Sequence, residues 1–573
     1  MDNKNLILAI TLSVGILLLW TVLFETPPAD VPNKNSISID KDQVDQSQMS
    51  IESFEFDSDV SKKEDMITIE ESLSKSNRIE IQTPSISGSI NLKGLKIDDL
   101  TLNKFNEELN EESKKIRFLS PSDTENGTEI SFGWIKPQDA NFEIPNSNSN
   151  WLLKSSKNIL DENSELEFEW DNNTGQIFKT FISVDKNYLF NVRQIVINNS
   201  DEKITLNNAS KIIRKQTPDL SGFFILHEGP IGVLDENLEN IDYDTLKEDK
   251  EVLNFESNNG WLGITDKYWL AALIPDQEKS FKAIYAYEEG SGYIAYFRSL
   301  NASTISPNSQ LEIKSHIFAG AKEAKLLDLY QEEYNIYNFD LAIDWGWFYF
   351  ITKPLFYAIS YFYGLSGNFG IAIIILTIIT RIIFFPLANW SFISMAKMKL
   401  LQPEMTRLKE LHKDDKQQQQ QALMALYKKE KVNPVSGCLP ILIQIPFFFA
   451  IYKMLFVSIE MRHAPFYGWI QDLSTKDPTS IFNLFGLIPY DPPSFLIIGV
   501  WPILMGLTMF IQQKLNPAPP DPIQAKIFMF FPFFITILLS QFAAGLVIYW
   551  TTNNLLSIIQ QWIIARKTKI KTN

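Results

Sequence analysis

A single arginine stands inside a long apolar run of this 573-residue chain. The run covers residues 371–386, and Arg381 is its one charged residue. An arginine at the centre of a membrane helix costs about 2.5–3.5 kcal/mol on insertion scales, so it normally faces water or a partner. The alternative is that the side chain reaches the membrane surface. Arg381 lies roughly ten residues, about 15 Å of helix, before the next polar segment, and a long side chain recovers only part of that depth. We therefore predict a hydrated, positively charged cavity around Arg381.

Amide, hydroxyl and aromatic side chains occur in similar apolar surroundings. Thr377 lies four residues before Arg381 and therefore on the same helix face. Near the C terminus, an i, i+3, i+7 spacing places Asn554, Ser557 and Gln561 on one stripe of a helix. Such groups could line the cavity, or they could hydrogen-bond neighbouring helices to one another. The predicted cavity residues are Arg381, Thr377, Gln444, Tyr549, Trp550, Asn554, Ser557 and Gln561.

These residue types can solvate a polar group, but they do not point to catalysis or metal binding. The single cysteine, Cys438, cannot form an intramolecular disulfide. The sequence contains no phosphate-binding loop of the nucleotide-hydrolysing kind. We therefore expect no cofactor and no enzymatic activity. The four histidines show no metal-ligand spacing; they are His227, His316, His412 and His463.

Two apolar segments are unusually rich in phenylalanine, at 447–449 and 528–534. Contact with lipid would explain this composition. The other interpretation is an apolar path along which a helix from another protein passes into the lipid. Both interpretations stay open on the sequence alone. The predicted path residues are Phe447, Phe448, Phe530, Phe531 and Phe534.

Six apolar segments predict membrane-spanning helices, because a hydrocarbon core of roughly 30 Å requires about 20 residues of helix. The first could be a cleaved signal peptide. However, its apolar run exceeds the usual length of about 7–15 residues, and no small-residue cleavage site follows, so we predict a retained anchor. The predicted spans are residues 6–24, 370–388, 435–457, 494–512, 527–542 and 543–564.

The distribution of charge predicts the orientation of these spans. Residues 341–573 carry 20 Lys and Arg against 11 Asp and Glu, whereas the first 340 residues carry 32 against 57. Within the second part, 391–434 holds nine Lys and Arg, the tail after Ile564 holds four, and 458–493 holds two. Cytoplasmic loops carry an excess of Lys and Arg. We therefore expect both termini and 391–434 in the cytosol and 28–340 on the outside.

The sequence of the exported region, 28–340, predicts a polar linker followed by short strands. Apolar residues take every second place in 165–170, the period of a half-buried strand, and 171–175 has turn composition before a second strand-like run. Many such strands predict a β-sandwich, and we expect a helix near 321–334.

The basic segment 391–434 predicts two amphipathic helices in a hairpin, whose methionine-rich faces could bind a partner or pack on each other.

Motifs along the chain resemble the YidC family of membrane protein insertases, of the Gram-negative type with a large periplasmic domain. They cover essentially the whole chain except 31–78. The motifs are GWLGITDKYWLAALIP at 260–275, FDLAIDWGW at 339–347, FFPL at 384–387, SMAKM at 394–398, MALYKKEKVNP at 424–434, GCLPILIQIP at 437–446, and GLVIY at 545–549 with NN at 553–554.

The resemblance implies five core helices around a hydrophilic groove that is open to the cytosol and to lipid. The family's groove arginine matches Arg381, with neighbours at Thr377, Gln444 and the Tyr549–Trp550 region, and its substrate slide matches 435–457 and 527–542. The implied activity is to insert newly made inner-membrane proteins and help them fold, alone or with the Sec translocon. Expected partners are nascent membrane proteins, the Sec translocon, anionic lipids, and the ribosome and signal-recognition machinery through the hairpin and the basic C-terminal tail.

The predicted fold class is mixed: a polytopic α-helical protein of the bacterial inner membrane with six transmembrane helices, five of them in the insertase core, plus an all-β periplasmic supersandwich. The predicted parts are an anchor at 1–27, a disordered tether at 28–78, a β-sandwich domain at 79–335, an interfacial helical region at 336–369, and the core at 370–573 with its cytosolic hairpin at 391–434.

Two other functions are compatible with parts of the sequence. A secondary transporter could use Arg381 as an intramembrane anion site, but that class usually shows internal repeats, and none is visible here. A membrane-anchored periplasmic protein could bind or modify glycans, but no pair of carboxylates in the exported region has a spacing that supports it.

Overall fold

The computed structural model describes a β domain followed by a helical region. The predicted anchor and most of the predicted tether lie outside the described residues, and so does Cys438. The described residues are 66–571 except 111, 221–225, 414, 431, 433–438, 491, 494–496 and 516–521.

Twenty strands form the β domain in the part of the chain that the structure describes. They are β1 (Arg78–Gln82), β2 (Ile86–Asn91), β3 (Lys96–Asn106), β4 (Lys115–Leu119), β5 (Thr128–Ile135), β6 (Leu152–Leu153), β7 (Ile159–Leu160), β8 (Glu165–Asp171), β9 (Gln176–Val184), β10 (Leu189–Asn198), β11 (Ile204–Arg214), β12 (Gly229–Leu234), β13 (Asn237–Asn240), β14 (Leu253–Ser257), β15 (Gly260–Thr265), β16 (Trp269–Ile274), β17 (Phe281–Glu288), β18 (Gly292–Ser299), β19 (Ser303–Ile305) and β20 (Ser309–Ala321).

The helices lie mostly in the second part of the chain. They are α1 (Ile69–Ser74), α2 (Tyr243–Lys247), α3 (Ala324–Glu333), α4 (Tyr349–Ser366), α5 (Phe369–Ile383), α6 (Phe385–Leu411), α7 (Lys416–Lys429), α8 (Leu439–Val457), α9 (Val500–Leu515), α10 (Pro522–Leu539) and α11 (Ala544–Lys571).

The strands form two large sheets that pack face to face. One sheet has the order β14-β17-β18-β11-β5-β3-β2-β1-β7, with β19 on β11 and β4 on β3; the other has the order β13-β12-β15-β16-β20-β10-β9-β8-β6. Buried hydrogen bonds cross between the sheets, among them one in which Tyr285 donates to the Ile231 carbonyl over 2.8 Å and one in which Asn208 donates to Gln194 over 2.7 Å. Because both donors are buried, each bond satisfies a polar group that would otherwise destabilise the core.

The predicted hairpin of the β domain is confirmed. Residues alternate between buried and half-buried along all of β9, as the period of two requires. Strand β8 pairs with β9 in an antiparallel register, and the predicted turn residues lie between them. The helix expected near 321–334 is α3, which begins three residues later than predicted.

The predicted boundary of the tether is wrong at its end. Helix α1 lies inside the range that was predicted to be disordered. The first strand of the β domain, β1, follows it directly. The Thr68 side chain accepts a hydrogen bond from the Glu71 amide, which caps the helix. The Ser72 hydroxyl donates to Asp123 over 2.5 Å and attaches α1 to the β domain.

A sharp bend divides the apolar run that contains Arg381. The prediction of one straight span at 370–388 is wrong, because α5 ends at Ile383 and α6 leaves at an angle of 66°. Pro386 lies in the first turn of α6. Proline has no N–H to bond the preceding turn, so it suits the start of a new helix better than the continuation of an old one.

The helices differ from the predicted spans in length as well. Among the described residues, no single helix has both the length and the apolar composition needed to cross a membrane, whereas α5 and α6 meet that requirement together. The remaining shorter apolar helices are 444–457 within α8 and 525–539 within α10. Residues 540–543 connect α10 to α11.

The predicted basic hairpin consists of α6 and α7. The Asp415 side chain accepts hydrogen bonds from the Gln417 and Gln418 amides and caps α7. Met405 of α6 is buried, and the Tyr427 hydroxyl of α7 lies 3.8 Å from its sulfur. At least part of the apolar face therefore packs within the hairpin.

Polar contacts connect the β domain to the helical region around one end of α8. Lys453 forms an ion pair with Asp344 over 2.7 Å, and Asp344 also accepts the His227 amide. Arg462 donates to the Asn106 carbonyl over 2.7 Å. Glu460 accepts the amide of Ala324, the first residue of α3. These contacts fix the position of α8 relative to the sheets.

Glu460 makes this connection sensitive to pH. Burial raises the pKa of its carboxyl from 4.5 to about 7. Between these two values the folded protein retains a proton that the unfolded chain has released, so stability falls as the pH rises from about 4.5 to 7. We predict that Glu460→Gln stabilises the protein relative to the wild type at pH 8 but not at pH 5, by about 1–3 kcal/mol. Thermal unfolding of the full chain in detergent at both pH values measures this.

Glu332→Gln is the matched control, because Glu332 is an exposed carboxylate on α3. A difference between Glu460→Gln and the wild type that does not change with pH would contradict the prediction.

Candidate functional site

Arg381 lies in the last turn of α5 and is held by α11. Its Nε donates to the Asn553 side-chain oxygen over 2.7 Å, and Nη2 donates to the Asn553 carbonyl over 3.2 Å. Within the described residues, two of the five guanidinium N–H groups therefore have partners. The carbonyl end of a helix carries partial negative charge, which favours a cation in the last turn.

Neutral oxygens supply the hydrogen bonds that Arg381 makes with the described residues. A carboxylate in the same place would cancel the charge, whereas an amide satisfies the donors and leaves the positive potential in place. The site can therefore attract an anionic group from outside the protein.

Three helices meet around Arg381. Tyr549 lies one turn before Asn553 on α11, is buried, and lies beside Gln444 of α8. Thr377 is buried one turn before Arg381, and its hydroxyl donates to the Ile373 carbonyl over 2.7 Å. The structure thus brings together Arg381, Thr377, Gln444 and Tyr549 of the predicted set.

Trp550 and Asn554 lie on a face of α11 that is rotated from the face of Tyr549 and Asn553. Asn554 is buried, and its amide approaches the Thr508 hydroxyl of α9 at 3.5 Å. The Trp550 ring packs on Phe448 with ring centroids 4.8 Å apart. Further along α11, Ser557 and Gln561 are buried, and Ser557 donates to the Asn553 carbonyl. Asn554 and Trp550 therefore contact α9 and α8, respectively.

Sequence analysis did not single out Asn553, the residue that binds Arg381. The predicted stripe used Asn554, which is rotated by about 100° from Asn553 on a helix of 3.6 residues per turn. A signal was present, because Asn553 lies four residues after Tyr549 and four before Ser557. Only the positions of the neighbouring helices show which asparagine faces the arginine.

The five predicted path residues lie in two environments. Phe447 and Phe448 are half-buried, and the Phe447 ring packs on Phe384, at the bend between α5 and α6, with centroids 5.0 Å apart. Phe530, Phe531 and Phe534 of α10 are exposed. Helix α10 approaches α9 closely at Gly506, where a Cβ atom would lie 2.0 Å from the Thr536 hydroxyl.

Comparisons with known proteins decide the family. Residues 78–358 match the model of the YidC periplasmic domain, and 361–572 match that of the 60Kd inner membrane protein. The membrane protein insertase YidC of Pelagibacter ubique is 50% identical over 572 residues, covering 100% of both chains. The chain belongs to the YidC family. The YidC of Rickettsia felis is 46% identical over 568 residues, covering 98% of this chain and 99% of its own.

A crystal structure of an active YidC insertase with its first transmembrane domain resolved is also similar. It is 17% identical with a TM-score of 0.35, and the match covers 85% of this chain and 92% of that chain.

Membership of the YidC family confirms the predicted resemblance and the predicted function as a membrane protein insertase. The chain is an inner-membrane protein with a periplasmic all-β domain and a C-terminal helical region. YidC proteins are insertases and not enzymes, as expected from the sequence.

The contact between Arg381 and Asn553 can be tested through stability. We predict that Asn553→Ala destabilises the protein by about 1–3 kcal/mol, because a half-buried guanidinium loses an acceptor. In an Arg381→Ala background the same change should cost much less, so a double-mutant cycle should yield a clear coupling energy. Chemical or thermal unfolding of the four proteins in detergent measures it.

Asn554→Ala is the matched control, because it removes a buried asparagine from the same turn of α11. It should show no coupling to Arg381→Ala. Equal coupling of both asparagines to Arg381 would contradict the assignment.

Proposed function

We propose that this protein inserts transmembrane segments of newly made inner-membrane proteins, and that Arg381 lies in a hydrophilic groove entered from the cytosol. The proposal rests on one observation above all: a guanidinium inside an apolar helical region is held by neutral oxygens of Asn553. Membership of the YidC family supports the same activity.

The groove lowers the cost of moving a polar segment through the membrane. A polar or acidic stretch beside a substrate's apolar helix must lose its hydration, and an unpaired polar group costs several kcal/mol in an apolar medium. Arg381 can donate charge-assisted hydrogen bonds to a carboxylate, and these are about twice as strong as neutral ones. Tyr549 and Gln444 lie beside it and add polar groups to the groove.

The apolar part of the substrate then moves into lipid. Transfer from water is favourable by about 25 cal/mol per Å² of apolar surface. Phe447 and Phe448 lie near the groove, and Phe530, Phe531 and Phe534 lie on the exposed side of α10. They provide an apolar path from the groove to the lipid. A membrane potential adds about 2.3 kcal/mol per charge per 100 mV for acidic segments that move outward.

The topology that suits this mechanism has six spans with both termini in the cytosol. The Lys and Arg residues of the α6–α7 hairpin and of the C-terminal tail support this orientation. Their positive charge suits anionic lipids, the ribosome and the signal-recognition machinery as partners. We further propose that the protein acts alone or with the Sec translocon, as the family resemblance implies.

Replacing the arginine tests the mechanism. We predict that Arg381→Ala lowers insertion of a single-span substrate with an acidic flank by several-fold, whereas Arg381→Lys retains most of it, because charge matters more than guanidinium geometry here. Insertion into proteoliposomes, scored by protection of the substrate's flank from protease, measures this.

A substrate with a neutral flank is the control and should depend less on Arg381. Full insertion of the acidic substrate by Arg381→Ala would rule out the proposed role.

Crosslinking separates the apolar path from ordinary lipid contact. We predict that a photo-crosslinking residue at Phe534 captures a stalled nascent transmembrane segment, because this position lies on the proposed path. Phe350 of α4 is the matched control, since it is an equally apolar and exposed phenylalanine outside the path. Equal capture at both positions would favour simple lipid contact for α10.

A further inference from the structure

A loop between α8 and α9 exposes an unusual concentration of apolar side chains. We call residues 481–490 the apolar loop. The sequence contains no charged residue between Asp477 and Asp491. Proteins in water rarely expose contiguous apolar patches larger than a few hundred Å², so such a patch marks a binding or membrane surface. Seven of its side chains are 37–84% exposed: Ile481, Phe482, Leu484, Phe485, Leu487, Ile488 and Tyr490.

Backbone groups of the apolar loop are paired locally. The Phe485 amide donates to the Ser480 carbonyl over 2.8 Å, and the Ile488 amide donates to the Asn483 carbonyl over 3.0 Å. At the start of the loop, the Ile481 amide donates to the Ile498 carbonyl. Unpaired backbone groups cost several kcal/mol in hydrocarbon, so these bonds prepare the loop for an apolar environment.

The backbone conformation turns two large side chains outward. Leu484 has φ 49° and Phe485 has φ 58°. Bulky residues rarely adopt this left-handed conformation, because it is energetically unfavourable for them. Both side chains are about half exposed within the protein itself. Burying them against an external apolar medium would offset the cost.

The base of the apolar loop is fixed to the start of α9. Asp477 accepts the Trp469 indole N–H over 3.1 Å and the Trp501 amide over 3.0 Å. It also accepts the Thr479 hydroxyl. A half-exposed tryptophan with a bonded indole N–H, such as Trp469, is typical of the membrane–water interface. The loop therefore begins at a residue cluster suited to that depth.

Over its described residues, helix α9 is too short to cover the hydrocarbon core. Its 16 residues span about 24 Å, compared with a core of roughly 30 Å. The apolar loop adjoins its N-terminal end, where the additional apolar surface is needed. A soluble protein partner would more often meet a patch with a polar rim, whereas the sequence of this loop is uncharged throughout.

We propose that the apolar loop is immersed in the outer leaflet of the inner membrane and contacts lipid acyl chains as an extension of α9. The proposal uses the orientation given under the proposed function but not the role of Arg381. The loop then anchors the outer ends of α8 and α9 in the lipid and compensates for the short α9.

Site-specific fluorescence in liposomes tests the immersion. In a Cys438→Ser background, an environment-sensitive fluorophore is attached to Leu487→Cys in the full chain, which is reconstituted with phosphatidylethanolamine and phosphatidylglycerol. We expect emission at shorter wavelength, strong quenching by lipids with a nitroxide on the acyl chain, and several-fold weaker quenching by iodide than for a label in water. Phe482→Cys provides a second position in case the first variant does not fold.

Leu152→Cys is the matched control, because Leu152 is an exposed leucine on β6 of the periplasmic domain. Its label should be quenched by iodide and not by the lipid nitroxide. A label at Leu487 that is quenched by iodide and not by lipid would overturn the proposal, including the case in which the loop binds a protein partner instead. Lipid quenching of both labels would show that the fluorophore itself seeks the membrane and would also overturn it.

The outcome is distinguishable from failure of the proposed function. If the Leu487 label is in water while the same liposomes insert substrate in an Arg381-dependent way, only the immersion of the apolar loop is wrong.

Discussion

The guanidinium of Arg381 can remain charged in an apolar helical region because Asn553 gives it two oxygens without giving it a counter-charge. A buried ion pair would remove the positive potential, and leaving the cation without acceptors would destabilise the fold. The amide is the intermediate solution: it satisfies donors and preserves charge. This contact also joins α5 to α11, so the arrangement of the helices and the electrostatic character of the site have a common origin.

The bend after α5 belongs to the same arrangement. In a straight helix through residues 370–388, the backbone carbonyls around Arg381 would all be hydrogen-bonded to amides one turn further along the helix. Because α5 ends at Ile383, Arg381 instead lies in a terminal turn, where helix carbonyls have no partner further along the helix. Pro386 causes the break and Phe384 fills it by packing on Phe447. The bend therefore places an arginine at a helix end while its surroundings stay apolar.

Features that depend on local sequence could be predicted, and those that depend on distant neighbours could not. The β8–β9 hairpin followed from alternation and turn residues, and the α6–α7 hairpin from helical spacing. The cap of α1 was also local, with Thr68 three residues before Glu71, but the polar composition around it favoured disorder. The choice between Asn553 and Asn554, like the order of strands in each sheet, depends on packing between elements far apart in the chain.

In the described part of the chain, the β domain contacts α8 near its C-terminal end. These contacts involve Lys453, Glu460 and Arg462, which lie near the end of α8 or just after it. Gln444 lies nine residues before Lys453 on the same helix, about 13.5 Å along its axis. These contacts hold α8 against the sheets at its periplasmic end, whereas its Gln444 end lies beside Tyr549 of α11. In the mechanism proposed above, a helix held this way yields to a substrate near Gln444 without opening the periplasmic side, which is the asymmetry that one-directional insertion requires.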